Sequence, residues 1–235
     1  MLKKLLVLCL VVLSSRSLSF ASRGYVIDTP TIGVLNYASY EISFKFFSQG
    51  NFLPKLDLGV FRILNIGLSW ELESLIGNKN IGIAIPALQV KLKLFEGTML
   101  IPGFAIGYDG QGYDFNSQLD GNYLQRERGV YLVAGKELFL KNLIFNAGIS
   151  INELSDIKLR GFVNAFAEVI PDSLYLLTEY DNIYSIDSAR LNFGVKFCLT
   201  EFISIDTIIR DCFRKSSDIR YANERMIRIN YLGRF

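Results

Sequence analysis

Charged residues set at every second position are the feature of this 235-residue sequence that could do chemistry. Glu41 and Lys45 alternate with Tyr40, Ile42, Phe44 and Phe46; Lys55 and Asp57 alternate with Leu56 and Leu58. Glu71 and Glu73 flank Leu72, Lys91 and Lys93 flank Leu92, and Glu179 and Asp181 flank Tyr180. Lys196, Asp206, Arg210, Arg228 and Arg234 hold the same kind of position later in the chain. Residues two apart on a strand share a face, so these side chains collect on one surface as a near-balanced set of acids and bases. A charge removed from bulk water has to be paired or hydrated. The set is therefore either a salt-bridge network that fills an interior or a lining that conducts polar solutes. Glu179 and Asp181, two carboxylates on one face, need a nearby cation, and Lys196 and Arg210 on the following strands are the expected sources.

Other chemistry is excluded by composition. The chain contains no histidine, which removes the usual general base of a Ser-His triad and the commonest metal ligand. Cys and His show no metal-ligand spacing. Asp109-Gly110-Gln111-Gly112-Tyr113-Asp114 has the look of a calcium loop, but no bidentate Glu follows at the proper offset. No catalytic residue, metal or cofactor is implied.

The elements that must position these residues are strands. Period-two alternation recurs nearly everywhere and helical spacing almost nowhere. The expected strands are 38–47, 53–62, 65–75, 86–95, 99–109, 129–139, 142–152, 160–169, 173–182, 189–199, 202–211 and 224–235; the number falls to ten if two weak ones are not strands. An even number is what a closed antiparallel barrel with both termini on one side requires. Odd-to-even connections include the longest, 110–128, while Ile63-Leu64, Phe95 to Thr98, Leu140-Lys141, Pro171-Asp172 and Thr200-Glu201 are tight even-to-odd turns. Long connections outside and short ones inside are the asymmetry of an outer-membrane barrel.

Alternation does not by itself say which face points inward, since a soluble calyx alternates too, with its apolar face inside. About twelve strands, however, enclose a lumen wider than these side chains fill as a dry core. Aromatic residues also gather near strand ends, among them Phe46, Phe52, Trp70, Phe95, Tyr108, Phe139, Tyr184, Phe202 and Tyr231, as interfacial girdles do. The sequence thus reads as all-β, a closed antiparallel transmembrane barrel with apolar residues against outer-membrane lipids and polar residues within.

The ends carry targeting information. Lys3 and Lys4, the apolar run from Leu5 to Leu13 and the small-residue exit Ser19-Phe20-Ala21 read as a signal peptide over 1–21, cut after Ala21. The run is too short to span a bilayer, which takes roughly 20 residues. Cleavage removes Lys3, Lys4 and Arg16 from the 25 basic residues, leaving 22 against 23 acidic ones and a net charge of −1. No basic field for nucleic acid remains. Half the residues are hydrophobic, with a mean hydropathy of +0.27. Cys198 and Cys212 are the cysteines that survive processing, too few for a disulfide framework. Residues 22–36 are expected at the periplasmic mouth, ahead of a barrel over 37–235.

In the last strand Ile227, Ile229, Tyr231 and Phe235 fall on one face and Arg228, Asn230 and Arg234 on the other. A C-terminal phenylalanine on such a strand looks like the signal by which outer-membrane assembly machinery captures barrel precursors.

Three stretches also resemble a family. Gly24-Tyr25-Val26-Ile27-Asp28-Thr29-Pro30-Thr31, Leu174-Tyr175-Leu176-Leu177-Thr178-Glu179-Tyr180-Asp181 and Leu191-Asn192-Phe193-Gly194-Val195 are similar to segments of YjbH-type outer-membrane proteins. Members are associated with exopolysaccharide or capsule production, and full-length ones are much longer, so this chain corresponds to one barrel. The resemblance implies a role in polysaccharide secretion, and the first reading of the barrel is a non-enzymatic one that passes, or helps export, polar molecules such as saccharides. The alternative is a structural or surface-interaction barrel with a plugged lumen, whose 110–128 loop contacts partners.

Overall fold

The computed structural model describes residues 24–98, 100–116, 122–125, 129–138, 143–151, 158–184, 189–212 and 223–235. The expected signal peptide and its cleavage site lie outside the described residues. Sixteen strands are present among them: β1 Ser39–Phe47, β2 Asn51–Phe61, β3 Leu64–Ser69, β4 Leu72–Glu73, β5 Gly82–Ile83, β6 Ala87–Phe95, β7 Gly103–Asp109, β8 Tyr113–Asn116, β9 Asn122–Gln125, β10 Gly129–Glu137, β11 Leu143–Ile151, β12 Leu159–Ile170, β13 Leu174–Ile183, β14 Arg190–Cys198, β15 Ile203–Arg210 and β16 Glu224–Arg234. Twelve of these, β1, β2, β3, β6, β7 and β10 to β16, pair antiparallel with their neighbours in chain order. The ring closes where β1 meets β16, in register from Ser39↔Arg234 to Phe46↔Ile227. The fold is an up-and-down closed barrel of twelve strands, which leaves no free sheet edge.

The remaining strands decorate it. β8 and β9 pair with each other within the 110–128 connection, and β4 and β5 form a short ribbon at the edge of β2. The expected single strand 65–75 is divided here, and the reason is local. Trp70 donates its backbone N–H to the carbonyl of Pro54 at 3.0 Å, and Pro54 has no N–H to return the bond. The ladder is interrupted at 70–71 and resumes in the same register at Phe52↔Leu72. The tight connections follow turn chemistry: Asp172, at φ 55, makes the β12–β13 turn, a left-handed conformation that Asp tolerates. After β6 the turn is longer than expected, since β7 begins only at Gly103.

Facing settles which side is oily. Leu56, Ile66, Leu68, Leu88, Ile106, Leu132, Phe145, Ile149, Leu176, Phe193, Phe197, Ile209 and Ile227 are all exposed on the outside of the wall. Their inward neighbours Asn65, Ser69, Gln89, Asn146, Asn164, Asn192, Ser204 and Asn230 are buried. Soluble proteins rarely expose continuous apolar patches above a few hundred Å2, and a continuous outer belt of this kind suits hydrocarbon rather than water.

The interior is filled, and this departs from the expected position of residues 22–36. The segment 24–36 does not sit at a mouth but inside the wall. Its polar backbone is met by Asn65 of β3, Lys91 of β6, Asn146 of β11, Asn164 of β12, Glu179 of β13 and Arg228 of β16. A single segment touched by six strands spread around a ring lies within the ring. Val26 and Ile27 are 0 % exposed and pack with Phe47, Leu53, Phe166, Leu177, Ile208 and Met226. Burial of two such side chains contributes about 1.5–3 kcal/mol each. Space is left by small residues: a Cβ on Gly59 would stand 2.0 Å from the Asn36 carbonyl oxygen, and one on Gly103 2.8 Å from Ile32 Cδ1.

Candidate functional site

The chemistry gathers where the wall grips this internal segment. Residues 27–29 turn their backbone N–H groups toward one carboxylate oxygen. Glu179 Oε2 accepts from Ile27 N at 3.2 Å, Asp28 N at 3.0 Å, Thr29 N at 2.8 Å and the Thr29 hydroxyl at 2.7 Å. Its other oxygen accepts from Asn192 Nδ2 at 2.8 Å. Successive N–H groups aimed at one point make an anion-binding concavity, and Glu179 fills it from β13. The carbonyls on the opposite side of the segment meet cations. Arg228 donates to Val26 O at 2.6 Å and Ile27 O at 3.1 Å, and Lys91 to Gly24 O at 2.5 Å, Thr31 O at 3.1 Å and Gly33 O at 3.2 Å. Acid meets N–H and base meets C=O, so the grip is electrostatically complementary along its length.

Asp28 is the side chain through which the segment answers. Its carboxylate contacts Arg210 Nε at 2.9 Å and Lys45 Nζ at 3.2 Å, and it accepts a hydrogen bond from the Tyr113 hydroxyl. Arg210 is also held by Glu224 at 2.9 Å and lies 4.3 Å from the centre of the Tyr113 ring. Burial by itself would raise the Asp28 pKa, but Arg210, Lys45 and the Tyr113 hydroxyl outweigh it and hold the carboxyl well below the usual range. Burial and the neighbouring Asp28 charge push the Tyr113 hydroxyl well above its ordinary value, so it stays a donor.

Tyr113 belongs to the 110–128 connection, which was expected wholly outside as a partner-contacting loop. Its first part instead folds inward. Gln111, Tyr113 and Asp114 are buried, with Ser69 donating to Gln111 Oε1 at 2.6 Å, Asn51 Nδ2 to Asp114 Oδ1 at 3.0 Å and Asp114 N to Glu71 at 2.9 Å. The carboxylate of Asp109 accepts from Gln111 N at 2.9 Å, so the stretch with the look of a calcium loop is closed by its own side chains. Among the described residues no group of three metal-ligating side chains occurs.

The remaining candidates fall into distinct places. Asp181 is paired with Arg190 through contacts of 2.9 and 3.0 Å, while Arg228 holds Asp206 at 2.5 Å. The contacts that relieve the Glu179–Asp181 pair come from Arg190, Asn192 and the internal segment, while the expected Arg210 touches Asp28 and Glu224 and acts on Asp181 from farther off. Lys55 contacts Asp57 at 3.2 Å and sits 4.0 Å above the ring of Tyr25, on whose centre Lys91 also closes to 5.0 Å. Lys93 lies at the β6–β7 turn, bonded to the exposed Glu96 at 2.9 Å. Glu73 is only half-buried, on the β4–β5 ribbon beside Gly82. Arg234 is exposed at the end of β16. Glu41 and Lys196 line a cavity of about 70 Å3 beside the segment. Cys198 and Cys212 are free and partly buried.

Asp28, Tyr113, Arg190, Glu224 and the inward Asn65, Asn146, Asn164 and Asn192 are not among the site residues expected from the sequence. The asparagines carried a signal: Asn65, Asn146, Asn164 and Asn192 all stand at inward positions, and a side chain that both donates and accepts suits the capture of a backbone.

No protein-family model matches the chain, and no curated protein matches its sequence. Among solved structures, the NanC porin is 12% identical at a TM-score of 0.48, over 83% of this chain and 99% of that one. OmpT, an outer membrane protein of Vibrio cholerae, is 10% identical at 0.37 over 83% and 98%. The outer membrane channel DcaP of Acinetobacter baumannii is 8% identical at 0.33 over 84% and 96%. At such low values none of these likenesses bears on activity.

Proposed function

We propose that the protein is a non-enzymatic outer-membrane barrel that passes small polar molecules, with its own N-terminal segment as the closure. The observation that carries this reading is the complementary grip on residues 24–36. The backbone of the segment is held by hydrogen bonds and its Asp28 by ion pairs, which water and solutes can replace, and the wall keeps polar residues such as Asn65, Asn146, Asn164 and Asn192 beside the apolar patch that Val26 and Ile27 cover. The outward apolar belt supports a bilayer surrounding, and the signal-peptide pattern supports export. The face shared by Ile227, Ile229, Tyr231 and Phe235 supports delivery by barrel-assembly machinery. Absence of histidine argues against the enzymatic use of such a barrel.

The resemblance to YjbH-type proteins would make a saccharide the natural cargo. A second reading, a permanently closed structural barrel, is favoured by the apolar anchoring of Val26 and Ile27. Planar-bilayer conductance of the refolded chain beginning at residue 22 separates the two. The passage reading expects small conductance from the whole chain and a large stable one after removal of 24–36. Silence from both forms would leave only the structural barrel. Liposome swelling in oligosaccharides of increasing length, applied to the shortened form, tests the saccharide cargo.

A further inference from the structure

A cavity of about 70 Å3 remains between the internal segment and the wall, enough for a few waters. Most charges on it are committed. Lys45 is held by Asp28 at 3.2 Å, Lys55 by Asp57 at 3.2 Å and Arg228 by Asp206 at 2.5 Å. Lys91 is spent on three carbonyls of the segment. Two further charges lack a partner in contact. Among the described residues, Glu41 on β1 and Lys196 on β14 line the cavity yet take part in no hydrogen bond or ion pair. Lys196 is so placed although only 6 % exposed.

Their strands explain why they do not meet. β14 is separated from β1 by β15 and β16, and Arg228 and Asp206 pair in the space between them. A charge withdrawn from bulk without a protein partner has to be hydrated, so water must stand against both groups. A diffusing ion can trade part of its hydration shell only for protein charges that are not already neutralised. Along this cavity Glu41 and Lys196 have no contact partner and act on one another only across the space between them, while Asp109 is met by the Gln111 N–H at 2.9 Å.

We propose that the cavity is the ion path of the barrel with its N-terminal segment in place, and that Glu41 and Lys196 set its charge selectivity. The inference rests on the reading of the protein as a passage for polar solutes. Glu41 draws cations, Lys196 draws anions, and in the wild type the two offset each other.

The test is the reversal potential of the refolded chain, begun at residue 22, in planar bilayers under a KCl gradient. E41Q should lower the cation-over-anion permeability ratio about threefold and K196Q should raise it about threefold. The double exchange E41K/K196E should return it near the wild-type value. K93Q should leave it unchanged, since Lys93 is bonded to Glu96 at the turn. A conducting protein whose ratio is the same in wild type, E41Q and K196Q overturns the inference and leaves the passage reading standing. Absence of wild-type conductance overturns the inference, and the passage reading falls with it only if the form lacking 24–36 is silent too. Loss of the folded, heat-modifiable band in E41Q or K196Q would mean that these charges hold the wall, and it too overturns the inference.

Discussion

The Tyr113 hydroxyl donates a hydrogen bond to the Asp28 carboxylate. The two residues come from separate parts of the chain: Asp28 from the segment that precedes β1, Tyr113 from the connection after β7. The lumen is therefore filled by two pieces of chain that hold one another, with Arg210 and Lys45 of the wall completing the contact. Movement of either piece breaks a bond made by the other.

Asp28→Ala should release the segment. Removing one partner from a buried ionic cluster costs about 3–5 kcal/mol, because the charges left behind are uncompensated. Arg210 retains Glu224, so the wall itself should survive. The expected outcome is an unchanged heat-modifiable band with faster labelling of a cysteine introduced at Val26, in a background where Cys198 and Cys212 are Ser. Labelling no faster than in the parent would show that Asp28 does not hold the segment.

The same cluster fixes a pH dependence. The Asp28 carboxyl is held below its ordinary value of 3.8. A depressed native pKa contributes stability that is complete above the unfolded value and is lost as pH falls through the native one. Acidification from neutrality to about pH 5, still above the ordinary carboxylate range, should leave the Asp28 contact intact. Labelling of the Val26 cysteine should accelerate only in stronger acid. Release near pH 6 would require another titrating group to govern the segment, and histidine is absent.

The wall was legible in the sequence and its filling was not, for a physical reason. In β16, Arg228 and Asn230 against Ile227, Ile229 and Tyr231 report two environments at a period of two, and a strand between lipid and a polar interior must show that pattern. Residues 24–36 have no period, because an irregular segment surrounded on all sides meets no single environment. Val26 and Ile27 pack on apolar side chains while the backbone beside them bonds to Glu179. Facing places Lys91, Glu179, Asp181, Asp206, Arg210 and Arg228 at buried positions, but it does not name their partners. Asp181 with Arg190 depends on the register of the β13–β14 pair, and Arg210 with Asp28 on the path of the segment, neither of which alternation encodes.

Exchange of Phe235 tests assembly apart from stability. The residue is 84 % exposed, its ring 5.0 Å from that of Tyr40, and its backbone N–H bonds to Ala38 O at 2.9 Å. An aromatic pair of this kind is worth about 0.5–1.5 kcal/mol, and the backbone bond does not depend on the side chain. Phe235→Ala should therefore shift the denaturation midpoint of refolded protein only slightly, while lowering the amount inserted in cells several-fold. Equal loss in both assays would make the residue a structural one.

Glu179 gives the sharpest contrast between two neighbouring acids. Glu179→Gln keeps the shape of the side chain but replaces a charge-assisted acceptor of four bonds with a neutral amide. The amide oxygen can still face the N–H groups of residues 27–29, so the segment should be loosened rather than released. Glu179→Ala leaves those N–H groups unsatisfied. Each bond to a charged group is worth about 1.5–3 kcal/mol net, and the set is not additive, which puts the total near 3 kcal/mol or above. Asp181→Asn, two residues along the same strand, weakens the contact with Arg190 instead, and no hydrogen bond joins Asp181 to the segment. Labelling of the Val26 cysteine should rise in the order wild type, Glu179→Gln, Glu179→Ala, with Asp181→Asn close to wild type. An equal rise in Asp181→Asn would mean that the acids act as one wall network, and that Glu179 has no separate role in holding the segment.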